Sequence, residues 1–229
     1  MPRLYSIFSS FLHTSIEIML CLIQIPSGFF EILVSKKIHS SSKKIIILLH
    51  GWGTRNVIYL PLKWQLQKMG YRVITPDFGW HIIDINKTVV HLKEFIHSNH
   101  LENITFVGHS EGGIIALAYA KENPSTVKKI ITMGSPFHGS PHAKLASFFS
   151  QAAEQLKPNS LFLKKLVSSL DKDFWASKIS CVYTSYDEVV PAHSASLPFV
   201  TQVIDIKKIG HFSFLYSPVM KKVFLRILI

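Results

Sequence analysis

Six residues, Gly108-His109-Ser110-Glu111-Gly112-Gly113, constrain this chain more than any other stretch. They separate an apolar run at 104–107 from a helix-competent run at 114–121. That context predicts a strand, a sharp turn and a helix in immediate succession, with Ser110 at the tip. Such a turn is strained and crowds the backbone, so small residues are needed beside it. Gly108 and Gly112 supply them. A serine held there has the exposure of a nucleophile at an elbow. The helix starting at Glu111 aims backbone N–H groups at any oxyanion formed beside it. Taken alone, the six residues also fit an ordinary strand–helix turn.

Three further stretches stand in a usable order. Ile45–Leu49 is an apolar run of the kind buried on both faces of a parallel sheet, and it ends in His50-Gly51-Trp52-Gly53. A second oxyanion donor from that loop would be the backbone N–H of Trp52, beside that of Glu111; a plain glycine-rich strand exit is the alternative. The run Ile179–Tyr183 is β-branched and breaks at Ser185-Tyr186-Asp187-Glu188. Asp187 thus stands at the carboxyl end of a predicted strand, where functional groups of open α/β sheets gather. Glu188 is its nearest rival. Asp205 lies inside an alternating run and is expected to face solvent. His211 follows the last predicted strand, 200–206, in Gly210-His211-Phe212. A serine hydroxyl needs a base to take its proton during attack, and an imidazole oriented by a carboxylate does this. Ser110, Asp187 and His211 are therefore the candidate catalytic residues.

These motifs, together with Met133-Gly134-Ser135-Pro136-Phe137-His138-Gly139-Ser140 and Tyr183-Thr184-Ser185-Tyr186-Asp187-Glu188-Val189-Val190-Pro191, resemble those of bacterial triacylglycerol lipases and esterases of the α/β-hydrolase fold. The small lidless lipases of bacilli are the most similar around the acid and the histidine. The resemblance runs from Ile45 to the C-terminus. It implies carboxylic-ester hydrolysis with Ser110, Asp187 and His211 as the triad, and Trp52 and Glu111 as oxyanion donors. The chain departs from that pattern in carrying Glu111 where many relatives have a neutral side chain. It also has a longer stretch at 141–178 and a segment, 1–40, with no place in the catalytic fold.

The chain has 229 residues, and 48% of them are hydrophobic, enough for one α/β domain with a large core. Strand-like and helix-like segments alternate from residue 45 to 133, the pattern of a parallel, doubly wound sheet. The expected organisation is an apolar N-terminal helical segment, 1–40, and a single domain, 41–229, with two short helices inserted at about 141–178, before the acid-bearing strand. Trp52, Phe137, Phe148, Phe149 and Phe212 are candidates for lining an apolar substrate pocket. Cys21 and Cys181 lie in apolar surroundings and read as buried thiols. His138 and His142 have a spacing that would suit a metal on a helix, but Gly139 and Pro141 between them argue against that helix. No metal and no cofactor are expected, and no phosphate-binding or dinucleotide motif is present.

The formal charge is +11, yet the lysines come as scattered pairs and not as a reading patch, which argues against nucleic acid as a partner. The readings that stand are a solvated surface and attraction to anionic lipid head groups. Residues 4–34 are strongly apolar, with Ser6, Ser10, His13, Glu17 and Gln24 forming one narrow polar stripe on a helical wheel. The first reading is a helix lying on a membrane surface; packing on the domain and a signal or anchor are the alternatives. A membrane-associated or cytoplasmic protein is favoured over a secreted one. The expected function is hydrolysis of lipid-like or apolar esters. Acyl transfer with the same triad, or a non-catalytic membrane-associated binding protein, are the alternatives.

Overall fold

The computed structural model describes residues 44–228. The segment 1–40 and Cys21 lie outside the described residues. Six strands form one sheet: β1 (Ile45–Leu49), β2 (Arg72–Ile74), β3 (Ile104–His109), β4 (Val127–Met133), β5 (Ile179–Tyr183) and β6 (Gln202–Asp205). Their order is β2-β1-β3-β4-β5-β6, and every neighbouring pair is parallel. The continuous apolar strands require cover on both faces, since successive side chains alternate sides. In β1, Ile47 and Leu49 join one core cluster while Ile46 and Leu48 join the other. The first cluster is closed by α2 (Ile85–Ser98) and α3 (Glu111–Glu122); the second by α1 (Leu60–Lys68) and α8 (Val219–Leu228).

The stretch expected to hold two inserted helices holds four: α4 (Ala143–Ala146), α5 (Gln151–Gln155), α6 (Leu161–Ser168) and α7 (Lys172–Ala176). Capping explains the division. Ser150, Ser160 and Asp171 each accept an N–H from the turn that follows and so restart the chain as a new helix. A single turn of 3-10 helix covers Phe212–Leu215, and α8 starts after Pro218, a residue suited to the beginning of a helix and not its middle.

The direction of winding reverses between β1 and β3, and a crevice opens outside the carboxyl ends of strands at such a point. His50 follows β1 there, Ser110 follows β3, and Gly134 follows β4. Asp187 and His211 follow β5 and β6 on longer loops.

Candidate active site

Ser110 joins β3 to α3 with φ 54° and ψ −125°, a backbone conformation that non-glycine residues adopt at a cost. Its N–H is held by the Met133 carbonyl at 2.9 Å. The turn is possible because the flanking backbone can approach without side chains. A Cβ on Gly112 would lie 2.1 Å from the Leu49 carbonyl oxygen, and one on Gly108 2.4 Å from the Gly113 nitrogen. Among the described residues, no backbone carbonyl takes the N–H of Trp52 or of Glu111, whereas the Gly53 N–H goes to Trp80 at 2.8 Å.

His211 Nδ1 lies 2.8 Å from Asp187 Oδ2, and both side chains are buried. Asp187 Oδ1 accepts the N–H groups of Val189 at 2.9 Å and Val190 at 2.7 Å. Burial alone would raise this carboxyl. The adjoining His211 ring, its hydrogen bond and the two backbone donors outweigh that and hold it below the usual carboxylate range. Glu188 takes a different post: its carboxylate accepts the backbone N–H of His211, at 3.2 Å. Asp205 accepts from Ser185 at 2.7 Å and pairs with Lys207 at the surface. Gly134 passes beneath Asp187 and His211 with φ 58°; a Cβ there would stand 2.9 Å from Asp187 Oδ2 and 3.3 Å from His211 Nδ1.

Ser110 and His211 line one cavity of about 260 Å³. No hydrogen bond joins Ser110 Oγ to the His211 ring among the described residues; such bonds often tighten only in the reacting complex. The walls are largely apolar: Trp52 from the loop after β1, Val189, Val190 and Phe212 from the acid and histidine loops, and Ala143, Ala146, Ala153 and Leu156 from the insertion.

Comparison with known proteins agrees with this fold. A family model described as the alpha/beta hydrolase fold matches residues 44–156. The mature form of a Bacillus licheniformis lipase, BlEst2, superposes with a TM-score of 0.65 at 20% identity, covering 82% of this chain and 93% of that one. The chain has the α/β-hydrolase fold. The AB hydrolase superfamily protein YisY of Bacillus subtilis is 27% identical over 150 residues, covering 59% of this chain and 55% of that protein. A pimeloyl-(acyl-carrier protein) methyl ester esterase of Shewanella oneidensis is 29% identical over 91 residues, 39% of this chain and 34% of that protein. The chain thus spans between a third and little over half of these two curated relatives.

The cavity redraws the expected lining. Trp52 and Phe212 contribute to it; Phe137, Phe148 and Phe149 do not. Phe137 is buried in the core, with its backbone N–H tied to the Ser194 carbonyl at 2.8 Å. Phe148 and Phe149 are exposed on the turn between α4 and α5. Small insertion residues take the places expected of aromatics. His138 and His142 form no metal cluster, and no group of three such ligands occurs among the described residues.

Three residues that sequence reading missed support the site. His109, pushed down to about 3 by burial and by the nearby His211 ring, is neutral, and its Nε2–H donates to the His211 carbonyl at 2.9 Å. It pins the histidine loop to the elbow. Ser150 Oγ accepts the Trp52 indole N–H at 2.8 Å and donates to the Ile82 carbonyl at 2.9 Å. Ser140 Oγ donates to the Val189 carbonyl at 2.6 Å, steadying the acid loop. Only His109 carried a local signal, its place in the elbow; the other two join segments remote in sequence.

Proposed function

We propose that this chain is a serine carboxylester hydrolase acting on small apolar or lipid-like esters through an acyl-enzyme. The observation that carries this reading is the buried His211–Asp187 pair at 2.8 Å opening into the same apolar cavity as Ser110 on its strained turn. In the first step Ser110 Oγ attacks the ester carbonyl as His211 Nε2 takes its proton. Asp187 fixes the ring with Nδ1 protonated and stabilises the imidazolium. The tetrahedral oxyanion is held by the N–H groups of Trp52 and Glu111, a contribution of about 3 kcal/mol per donor in such sites. His211 then gives its proton to the leaving alcohol. A water, deprotonated by the same ring, releases the acid.

The cavity's size and apolar walls suit an acyl group without charge. The named esterase and lipase relatives support ester chemistry, and the exposed Phe148 and Phe149 beside the site, with the formal charge of +11, support contact with an anionic lipid surface. No helix among the described residues is long and apolar enough to cross a membrane. A fluorophosphonate probe and a series of p-nitrophenyl esters of rising acyl length test this reading. Wild type should be labelled and turn over short and medium esters. Ser110→Ala should abolish labelling and lower turnover by about 10⁴-fold or more, with the fold retained. A folded wild-type protein that neither labels nor hydrolyses any of the series would refute it.

A further inference from the structure

The elbow helix begins with a carboxyl that the triad does not use. The Glu111 side chain is fully buried, lies outside the Ser110 cavity, and has no hydrogen-bond partner at either oxygen. Its Oε2 faces His81 Nδ1 at 3.9 Å. His81 is equally buried, its two ring nitrogens are also without partners, and its backbone sits at φ 52°. That left-handed conformation is uncommon for a residue with a side chain. The His81 ring stacks on that of His50 with centroids 3.7 Å apart. His50 opens the loop that carries Trp52, and the Trp80 carbonyl, one residue before His81, holds the Gly53 N–H of that same loop. One carboxyl and two imidazoles therefore connect the first residue of α3 to the loop after β1. These are the two segments whose N–H groups form the oxyanion hole in the reading above, on which this inference rests.

We infer that Glu111 is a neutral carboxylic acid that donates its proton to a ring nitrogen of His81, and that this pair positions the elbow N–H against the Trp52 loop. The terminal torsion of a glutamic acid is soft, so the carboxyl can turn toward His81 at little cost. Buried polar groups rarely go unpaired, and here an acid O–H and an imidazole nitrogen supply complementary donor and acceptor. Burial pushes the Glu111 carboxyl well above its ordinary value and the His81 ring well below; the His50 ring adds to the latter and the His50 backbone opposes it. The other titratable groups facing the pair are also neutral: His50, lowered to about 4 mainly by burial, and Tyr59, raised by burial. His109 stands behind Tyr59, their rings 5.9 Å apart, and it too is neutral. Asp77 and Arg55 act on His50 in opposite directions. A neutral side chain at 111 also avoids placing a negative charge behind a site where one must develop.

Thermal unfolding of wild type and Glu111→Gln between about pH 5 and pH 9 is the first test. The folded acid keeps a proton that the unfolded chain releases above 4.5, so wild-type stability falls as pH rises from there toward the folded value. The amide has no such dependence. The difference in Tm, variant minus wild type, should grow by at least about 3 °C across the range. A difference that does not change with pH overturns the neutral acid. The second test compares His81→Asn, which keeps an acceptor and tolerates φ > 0, with His81→Gly, which keeps the backbone and removes the acceptor. With p-nitrophenyl butyrate, His81→Gly should lose about tenfold or more in kcat with KM within about twofold, and His81→Asn should recover most of it. Equal kinetics in the two variants overturn the positioning role. The unfolding test needs no turnover, so it judges the neutral acid even if fluorophosphonate labelling of wild type fails and the hydrolase reading falls.

Discussion

Asp187 and Glu111 are both buried carboxyls beside the same crevice, and the structure treats them oppositely. Asp187 receives two backbone N–H groups and the His211 ring; Glu111 receives none, and its nearest partner is 3.9 Å away. Burial pushes both upward, but only Asp187 has donors enough to remain an anion. Depth alone therefore does not fix the charge of a carboxyl; the number of donors aimed at it does. The two tilt stability in opposite directions. Asp187, held low, contributes stability above its unfolded value of 3.8 that is lost as pH falls through its folded value. Glu111, held high, costs stability as pH rises above 4.5.

The largest effect that could break this contrast is at the acid. Asp187→Asn should lower kcat by about 10⁴-fold on a p-nitrophenyl ester, because an amide donor favours the wrong tautomer of His211. Glu188→Gln should lose less than about tenfold, since that side chain accepts a backbone N–H and not the ring. The reverse ranking in steady-state kinetics would move the acid to 188. A smaller effect is expected beneath the pair. Gly134→Ala forces a Cβ within 2.9 Å of Asp187 Oδ2 at φ 58°, and should cost about 1–3 kcal/mol in urea unfolding together with activity. An unchanged urea midpoint would show that the acid loop yields freely. The smallest is at Ser150, whose hydroxyl caps α5 as well as bracing Trp52: Ser150→Ala should cost about 1 kcal/mol and reduce kcat only severalfold.

The alternation of apolar strands and amphipathic helices made the parallel sheet legible, because strands buried on both faces leave continuous runs such as Ile45–Leu49. The elbow was legible for the same local reason: Gly108, Ser110 and Gly112 are neighbours in sequence as well as in space. Asp187 and His211 could be proposed from their order after strands, but their 2.8 Å contact is a property of the fold. The pocket lining was not legible. Aromatic residues are large and attract attention, yet Phe137 was drawn into the core and Phe149 left on the surface, while Ala146, Ala153 and Leu156 form the wall. The inward turn of Glu111 was equally hidden, since a helix N-terminus tolerates a carboxylate pointing either way. Its partner, His81, lies in a loop with no periodicity to mark it.

Ser150 ties together three segments that would otherwise be independent: the α5 start, the Ile82 loop and the Trp52 indole. If the chain is the proposed ester hydrolase, reshaping the insertion to admit a bulkier acyl chain also pulls on Trp52, whose N–H is assigned there to the oxyanion. In the proposed reading, changes to this wall and changes to the Trp52 loop are mechanically linked through the hydroxyl at 150.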